Sequence, residues 1–364
     1  MVDNHLFVFP TAILGGAERV MFNTIYYLLN RGDSVSVVIM SRGVQQGWEK
    51  LMSFPNFNFI VFDYSSEKKA IIPLVIFLMK ISGKKFHTIF SSHTHINGLL
   101  SFLKKIGFFK ESILISREST FIFERFYGLM RWMFKFIYKF MYGKQDLIIC
   151  QTQRMKESLI NSLGFYPAKN IESLSNPVNI DYIDNLKFEN NDISYEYIVV
   201  CGRLIPIKKI DFLIEAFSKL SKKFNYLNLV IIGEGPEEYK LKKMVSDLNL
   251  EARVIFTGKI NNPIKWFNSA KLGVISSEIE GFPNVIIEMM ASGTKNIITT
   301  PCTDGVLDLP NVFVTEDCSV ESLQIAIEKI LNQNIDSSIV YRKYIEDFRS
   351  VDSFWKQIED ITRK

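Results

Sequence analysis

Two segments carry cations, carboxylates and glycines on spacings that could do chemistry. The first, Gly202-Arg203-Leu204-Ile205-Pro206-Ile207-Lys208, sets a planar guanidinium and a compact ammonium behind a glycine that allows close backbone approach. Both cations suit a diphosphate; an ordinary loop with solvated cations would carry the same residues. The second runs Ser276-Ser277-Glu278-Ile279-Glu280-Gly281-Phe282-Pro283-Asn284-Val285-Ile286-Ile287-Glu288. Asn284 is expected to cap a helix whose first N–H groups would face an anion. Glu280, in the loop before it, can accept bonds from sugar hydroxyls, and Glu288, one turn inside, can chelate the vicinal hydroxyls of a ribose. An acid favoured by the helix dipole would account for Glu288 equally well. Gly15-Gly16-Ala17-Glu18-Arg19 and Gly233-Glu234-Gly235-Pro236 resemble phosphate-binding turns, but neither completes a GxGxxG pattern.

These segments need strands and helices to position them, and the chain supplies an alternating series. Strands are expected at 6–9, 34–40, 57–62, 88–91, 113–116 and 147–150, with a helix over 17–30. Asn176-Pro177-Val178 then stops the chain, because Pro177 pushes Asn176 out of helical geometry. After a polar stretch at 189–194 a second series begins: strands at 197–201, 229–232, 254–256, 272–275 and 296–299, helices at 211–222 and 285–291, and a helical tail whose last helix runs near 341–361. The expected fold class is α/β, two doubly wound halves with a cleft between them. Domains are expected at 1–178 and at 179–344. In such sheets ligands bind beyond the C-terminal ends of strands, where these motifs sit.

The 364 residues are 47% hydrophobic and 23% charged, a globular composition. Residues 1–178 hold 21 Lys+Arg against 12 Asp+Glu, a balance of +9, and the remainder balances at −5. The basic half suits an anionic membrane surface or acceptor, and scattered solvated lysines would give the same sum. Cys150, Cys201, Cys302 and Cys318 form no CxxC pair and read as reduced thiols. His93 and His95 stand close, on a spacing that suits a strand end better than a metal site, and no metal is expected. No secretory leader is visible, and no apolar run reaches the roughly 18 residues of a membrane helix. The expected location is cytoplasmic.

Taken in order, Gly202-Arg203 with Lys208, Gly233-Glu234-Gly235-Pro236, Val254-Ile255-Phe256-Thr257-Gly258 and Glu280 with Glu288 resemble the retaining nucleotide-sugar glycosyltransferases of family four, which have the GT-B fold. Gly15-Gly16-Ala17-Glu18-Arg19 matches that family's acceptor-side glycine loop and Asn176-Pro177-Val178 its interdomain junction. The resemblance spans nearly the whole chain, and it implies that the C-terminal helix, 345–364, packs back onto the first domain. It implies that Arg203 and Lys208 bind the donor diphosphate, and that Glu288 binds the ribose. Glu280 would hold the transferred sugar with the run Gly281, Phe282, Pro283, Asn284 and Val285. The backbone at Gly258 and Lys259 would meet the base, and Gly16 would approach the phosphate from the first domain. Catalysis would fall to Glu280, Arg203 and Lys208. Gly15, Gly16, His93 and Arg117 would lie on the acceptor side. Where many members have a histidine this chain has Arg117, so that contact falls to Arg117, His93 or His95.

The implied reaction keeps anomeric configuration and moves a hexose or N-acetylhexosamine from a nucleoside diphosphate, UDP by family habit. No Asp-x-Asp occurs, so side-chain cations are expected to serve in place of a metal, and no cofactor is called for. Residues 121–142 combine aromatics with Arg131, Lys135 and Lys139, expected on one side of a helix. Such a helix can lie peripherally on an anionic inner-membrane surface near a polyprenyl-diphosphate-linked saccharide acceptor of O-antigen or capsule assembly; a core helix with a wet cationic stripe is the other reading. Nucleic acid is not an expected partner. A non-catalytic GT-B partner in a glycan-assembly complex is the alternative, against which the intact set Arg203, Lys208, Glu280 and Glu288 argues. A nicotinamide oxidoreductase is disfavoured by the incomplete glycine motif.

Overall fold

The computed structural model describes residues 3–41, 47–187, 195–333 and 335–363. The polar stretch expected at 189–194 lies outside them. The chain forms two compact units, Met1–Pro177 with Val351–Lys364, and Val178–Ser350.

In the first unit seven parallel strands, β1 (Asn4–Thr11), β2 (Ser34–Ser41), β3 (Phe57–Val61), β4 (Thr88–Ser91), β5 (Ile113–Arg117), β6 (Leu147–Cys150) and β7 (Ile171–Ser173), take the order β3-β2-β1-β4-β5-β6-β7. Leu6, Phe7, Val8 and Phe9 are all fully buried, as a parallel strand covered on both faces requires. In the second unit β8 (Glu196–Cys201), β9 (Leu227–Ile232), β10 (Val254–Gly258), β11 (Leu272–Ile275), β12 (Ile297–Thr299) and β13 (Phe313–Val314) take the order β10-β9-β8-β11-β12-β13. Strand order therefore reverses between β1 and β4, and again between β8 and β11. Those switch points are where a doubly wound sheet opens a crevice for ligand.

Two expectations need correction. The tail is two helices, Ser338–Phe348 in the second unit and Val351–Thr362 in the first, so the return begins at 351 and not at 345. It is fastened by Tyr27 Oη donating to Asp352 (2.7 Å) and Arg31 Nη1 donating to Glu359 (3.0 Å). Residues 121–142 are three pieces, helices Ile122–Arg125 and Gly128–Phe136 and a π-helical turn Ile137–Met141, with Gly128 at φ +56° between the first two. Phe134, Tyr138 and Tyr142 face the core, while Leu129, Trp132, Met133, Phe136 and Phe140 are exposed beside Lys135 and Lys139. Arg131 turns inward instead, donating to the Phe123 carbonyl (2.7 Å). The wet face of this segment is thus largely apolar, which a core helix with a cationic stripe would not be. No helix among the described residues is long and apolar enough to cross a membrane.

Candidate active site

In the second unit the loops after β8, β9 and β10 are stitched through their backbones. Gly202 N–H donates to Ile232 O (2.9 Å), Leu204 N–H to Glu234 O (3.0 Å) and Gly233 N–H to Gly258 O (2.9 Å). Gly233 has φ +139°, and a Cβ there would lie 1.9 Å from the Gly202 carbonyl oxygen; one on Gly235 would lie 2.3 Å from that of Leu204. The Gly233-Glu234-Gly235-Pro236 turn that resembled a phosphate loop is therefore glycine-rich because it packs against the Arg203 loop. Gly258 ends β10 at φ +67°, and Lys259 beyond it is exposed.

Lys208 closes a short 3-10 turn, Pro206–Lys208, followed by left-handed Lys209 at φ +46°. Its Nζ forms an ion pair with Glu280 Oε1, and both side chains are mostly buried. Ser277 Oγ donates to the same Glu280 oxygen (2.8 Å), and Ser276 Oγ donates to the Lys208 carbonyl (2.7 Å). Glu278 N–H donates to Ile207 O (2.9 Å), and Lys209 Nζ lies 3.0 Å from Glu278 Oε2. That contact lifts the Lys209 ammonium above its ordinary range. The loop after β11 is held from below by the 300–303 segment: Glu280 N–H donates to Cys302 O (2.9 Å) and Thr303 Oγ1 to Gly281 O (3.2 Å). Arg203, in the loop of Lys208, is exposed.

Helix Asn284–Ser292 begins here, and the cap position belongs to Pro283, not to Asn284 as expected; Asn284 is the first helical residue, and Pro283 makes no side-chain cap bond. Proline suits that entry because it fixes the extended approach of the chain. Ile286, Ile287, Met289 and Met290 bury the helix in the core, and Glu288 is 9% exposed. Phe282 is buried with the Arg349 guanidinium 5.1 Å from its ring. The switch point of this unit thus gathers cations (Arg203, Lys208), a carboxylate (Glu280) and a helix N-terminus.

In the first unit Gly15 caps helix Gly16–Asn30. Glu18 in its first turn is buried and its Oε1 lies 3.0 Å from His93 Nε2. Burial works to raise the Glu18 carboxyl, but the His93 hydrogen bond, joined by the ring's charge once it is protonated, outweighs it and holds the group below its ordinary range. Arg117 is wholly buried; Nη2 donates to Asn176 Oδ1 (2.5 Å), whereas Nε and Nη1 have no hydrogen-bond partner among the described residues. Burial pulls its guanidinium down to about 10, against the opposing charges of Glu18 and Glu118. Glu118 accepts from Tyr142 (2.7 Å) and Thr94 (3.1 Å). Exposed His95 pairs with half-buried Glu67 at 3.4 Å. So Arg117 lies beneath the surface, and His93 is the partly exposed group of the three.

Glu18, Asn176 and Ser277 were not singled out from the sequence. Each lies inside a noticed motif, and the signal was the motif's remaining polar residue. Among the described residues Asp3, His5 and Asp33 gather possible metal-ligand atoms within 4.8 Å, but Asp33 already accepts from Arg31 Nε at 2.6 Å. The four cysteines are free thiols.

Residues 183–348 match the model of the glycosyl transferases group 1, and residues 14–182 that of glycosyltransferase family 4. The chain belongs to these two-domain glycosyltransferases. An N-acetylgalactosamine-N,N'-diacetylbacillosaminyl-diphospho-undecaprenol 4-alpha-N-acetylgalactosaminyltransferase of Campylobacter jejuni is 32% identical over 170 residues, 47% of this chain and 44% of that protein. A poly(ribitol-phosphate) alpha-N-acetylglucosaminyltransferase of Staphylococcus aureus is 28% identical, over 53% of this chain and 38% of its own. The matches to these curated relatives thus span less than half of their length. Anabaena HepE, solved with UDP and glucose, superposes at TM-score 0.78 with 18% identity and 98% of both chains covered. The fold of this glycosyltransferase is GT-B, as expected from its motifs.

Proposed function

We propose that this chain is a retaining glycosyltransferase moving a hexose or N-acetylhexosamine from a nucleoside diphosphate, UDP by preference, to a polyprenyl-diphosphate-linked saccharide in surface-polysaccharide assembly. The observation that carries the reading is the Lys208–Glu280 pair in the loops just before the N-terminus of helix Asn284–Ser292. The diphosphate leaves as the anomeric C–O bond breaks, so negative charge grows on it. Arg203, Lys208 and the helix N-terminus would stabilise that charge, Lys208 from a position already held by Glu280. Glu280 then accepts from sugar hydroxyls, and Glu288 and the backbone at Gly258 and Lys259 take the nucleoside. The acceptor hydroxyl attacks the anomeric carbon from the face the diphosphate leaves, and its proton passes to a departing phosphate oxygen. Side-chain cations serve here without a metal. The names of the Campylobacter and Staphylococcus relatives support a glycan acceptor, and that of the former a lipid-linked one. The exposed apolar face of 128–140, rimmed by Lys135 and Lys139, supports a peripheral seat on the inner face of an anionic cytoplasmic membrane.

The test is a panel of UDP-sugars offered to the purified full chain with a polyprenyl-diphosphate N-acetylhexosamine as acceptor, with and without EDTA. Transfer with retained anomeric configuration, insensitive to EDTA, is expected. Inversion, or loss of transfer on chelation, would overturn the mechanism.

A further inference from the structure

We propose that Glu18 is the positioning residue for His93, and that this pair orients the acceptor hydroxyl on the first unit. The inference rests on the glycosyl-transfer reading above. Gly15 follows β1 and His93 follows β4, the two strands between which the first sheet reverses its order. Any acceptor group bound in that crevice meets these loops first.

Glu18 is built into the floor of this place. Its side chain is 11% exposed and that of His93 24%, so the acid lies under the ring. A Cβ on Gly15 would stand 2.8 Å from Glu18 Oε2, so the carboxylate is pressed against the glycine loop. That contact gives the loop a reason for glycine separate from any phosphate. The carboxylate also lies at the positive end of helix Gly16–Asn30, where an acid is favoured. A capping role alone would explain Glu18 in the first turn, but it does not call for a histidine.

The chemistry follows from hydrogen counting. An ionised carboxylate only accepts, and a neutral imidazole carries one N–H. With Nε2 placed 3.0 Å from Glu18 Oε1, the hydrogen belongs on Nε2 and the lone pair on Nδ1. The neighbour of Nδ1 is Ser92 Oγ at 3.4 Å, too long for a strong bond. Nδ1 is thus the nitrogen left to accept a hydrogen bond from an acceptor hydroxyl and aim its oxygen.

The surroundings separate His93 from His95. Arg117 on β5, wholly buried, adds its charge to the Glu18 side. Glu118, just beyond β5, is taken up by Tyr142, Thr94 and Asn97. The His95 ring lies 6.1 Å from that of His93, but its Nε2 is turned to Glu67, a side chain 42% exposed. The histidine with a buried carboxylate behind it is His93.

Nitrogen-15 NMR of the histidine-labelled full chain reads the tautomer directly, with His93 assigned by the signals lost in His93→Gln. The Nε2–H tautomer is expected in the wild type and a mixture of both in Glu18→Gln. With the polyprenyl-diphosphate N-acetylhexosamine as acceptor, kcat/KM for that acceptor should fall roughly 100-fold in both variants. The Kd for UDP should stay within about twofold, which also shows that each variant is folded. An unchanged tautomer in Glu18→Gln, or UDP affinity falling together with acceptor turnover, would overturn the proposal. If the wild type transfers to no acceptor, the glycosyl-transfer reading fails, and the tautomer measurement still decides whether Glu18 sets His93.

Discussion

Lys208 and Glu280 reach each other from the loops after β8 and β11, strands that are neighbours in the sheet although 72 residues separate the two side chains in sequence. The pair is more than a surface salt bridge, because Ser277 and the Cys302 carbonyl fix the Glu280 side of it and Ser276 fixes the Lys208 backbone. The ammonium and the carboxylate are thereby set at one spacing before any ligand arrives.

Lys208→Ala should therefore lose most turnover with little loss of fold. Removing one preorganised donor to developing charge costs about 2.7–4 kcal/mol of barrier, or 10²–10³ in kcat. Glu280 keeps its Ser277 bond, so the melting temperature should move by only a few degrees. Steady-state kinetics beside thermal unfolding check this; turnover within tenfold of wild type would count against the role of Lys208.

The glycine turn after β9 makes a prediction of the opposite kind. Alanine at Gly233 meets the Gly202 backbone at 1.9 Å and must hold φ +139°, so Gly233→Ala should destabilise the second unit by about 3 kcal/mol or more. Gly258→Ala, with nothing within 4 Å of its new Cβ and only its positive φ to strain it, should cost about 1 kcal/mol. Urea unfolding of the two variants gives the order.

How much of this was legible in the sequence depends on strand length and on what a motif's neighbours do. Strands such as β1 and β8 announce themselves because burial on both faces demands an apolar run, Leu6 to Phe9 or Tyr197 to Val200. The edge strands β7 (Ile171–Ser173) and β13 (Phe313–Val314) are too short to show any period, and they exist because a neighbouring strand offers its backbone. The Lys208 and Glu280 loops could be found because each follows a strand; their contact could not, since it depends on β8 and β11 being adjacent. Arg117 shows the limit from the other side. Its standing where many family members have a histidine suggested a ligand contact, and only its burial with Asn176 shows that it lies beneath the surface.

Stability at acid pH should carry the mark of Glu18. Its folded carboxyl sits below the ordinary value of 4.5, so the unfolded chain binds the proton first as pH falls. The stabilisation is complete above about pH 4.5 and is lost as pH drops through the lower folded value. Glu18→Gln removes this term, so its unfolding free energy should fall less steeply than the wild type's from pH 6 downward. Denaturant midpoints at several pH values measure the difference, and parallel curves would show that Glu18 is not held ionised.

The exposed face of 128–140 predicts how the protein meets a membrane. Leu129 and Trp132 are 81% and 65% exposed, and burying such side chains is worth about 1.5–3 kcal/mol each. Lys135 and Lys139 beside them add attraction to anionic headgroups of about 1 kcal/mol each. The wild-type chain should float with vesicles containing anionic lipid and do so more weakly as salt rises, because only the charged part is screened. Leu129→Glu with Trp132→Glu should abolish flotation while leaving the fold intact, since both side chains lie outside the core formed by Phe134, Tyr138 and Tyr142. Lys135→Ala with Lys139→Ala should weaken flotation and make the remainder indifferent to salt. Flotation that survives the glutamate pair would place the membrane contact elsewhere on the chain.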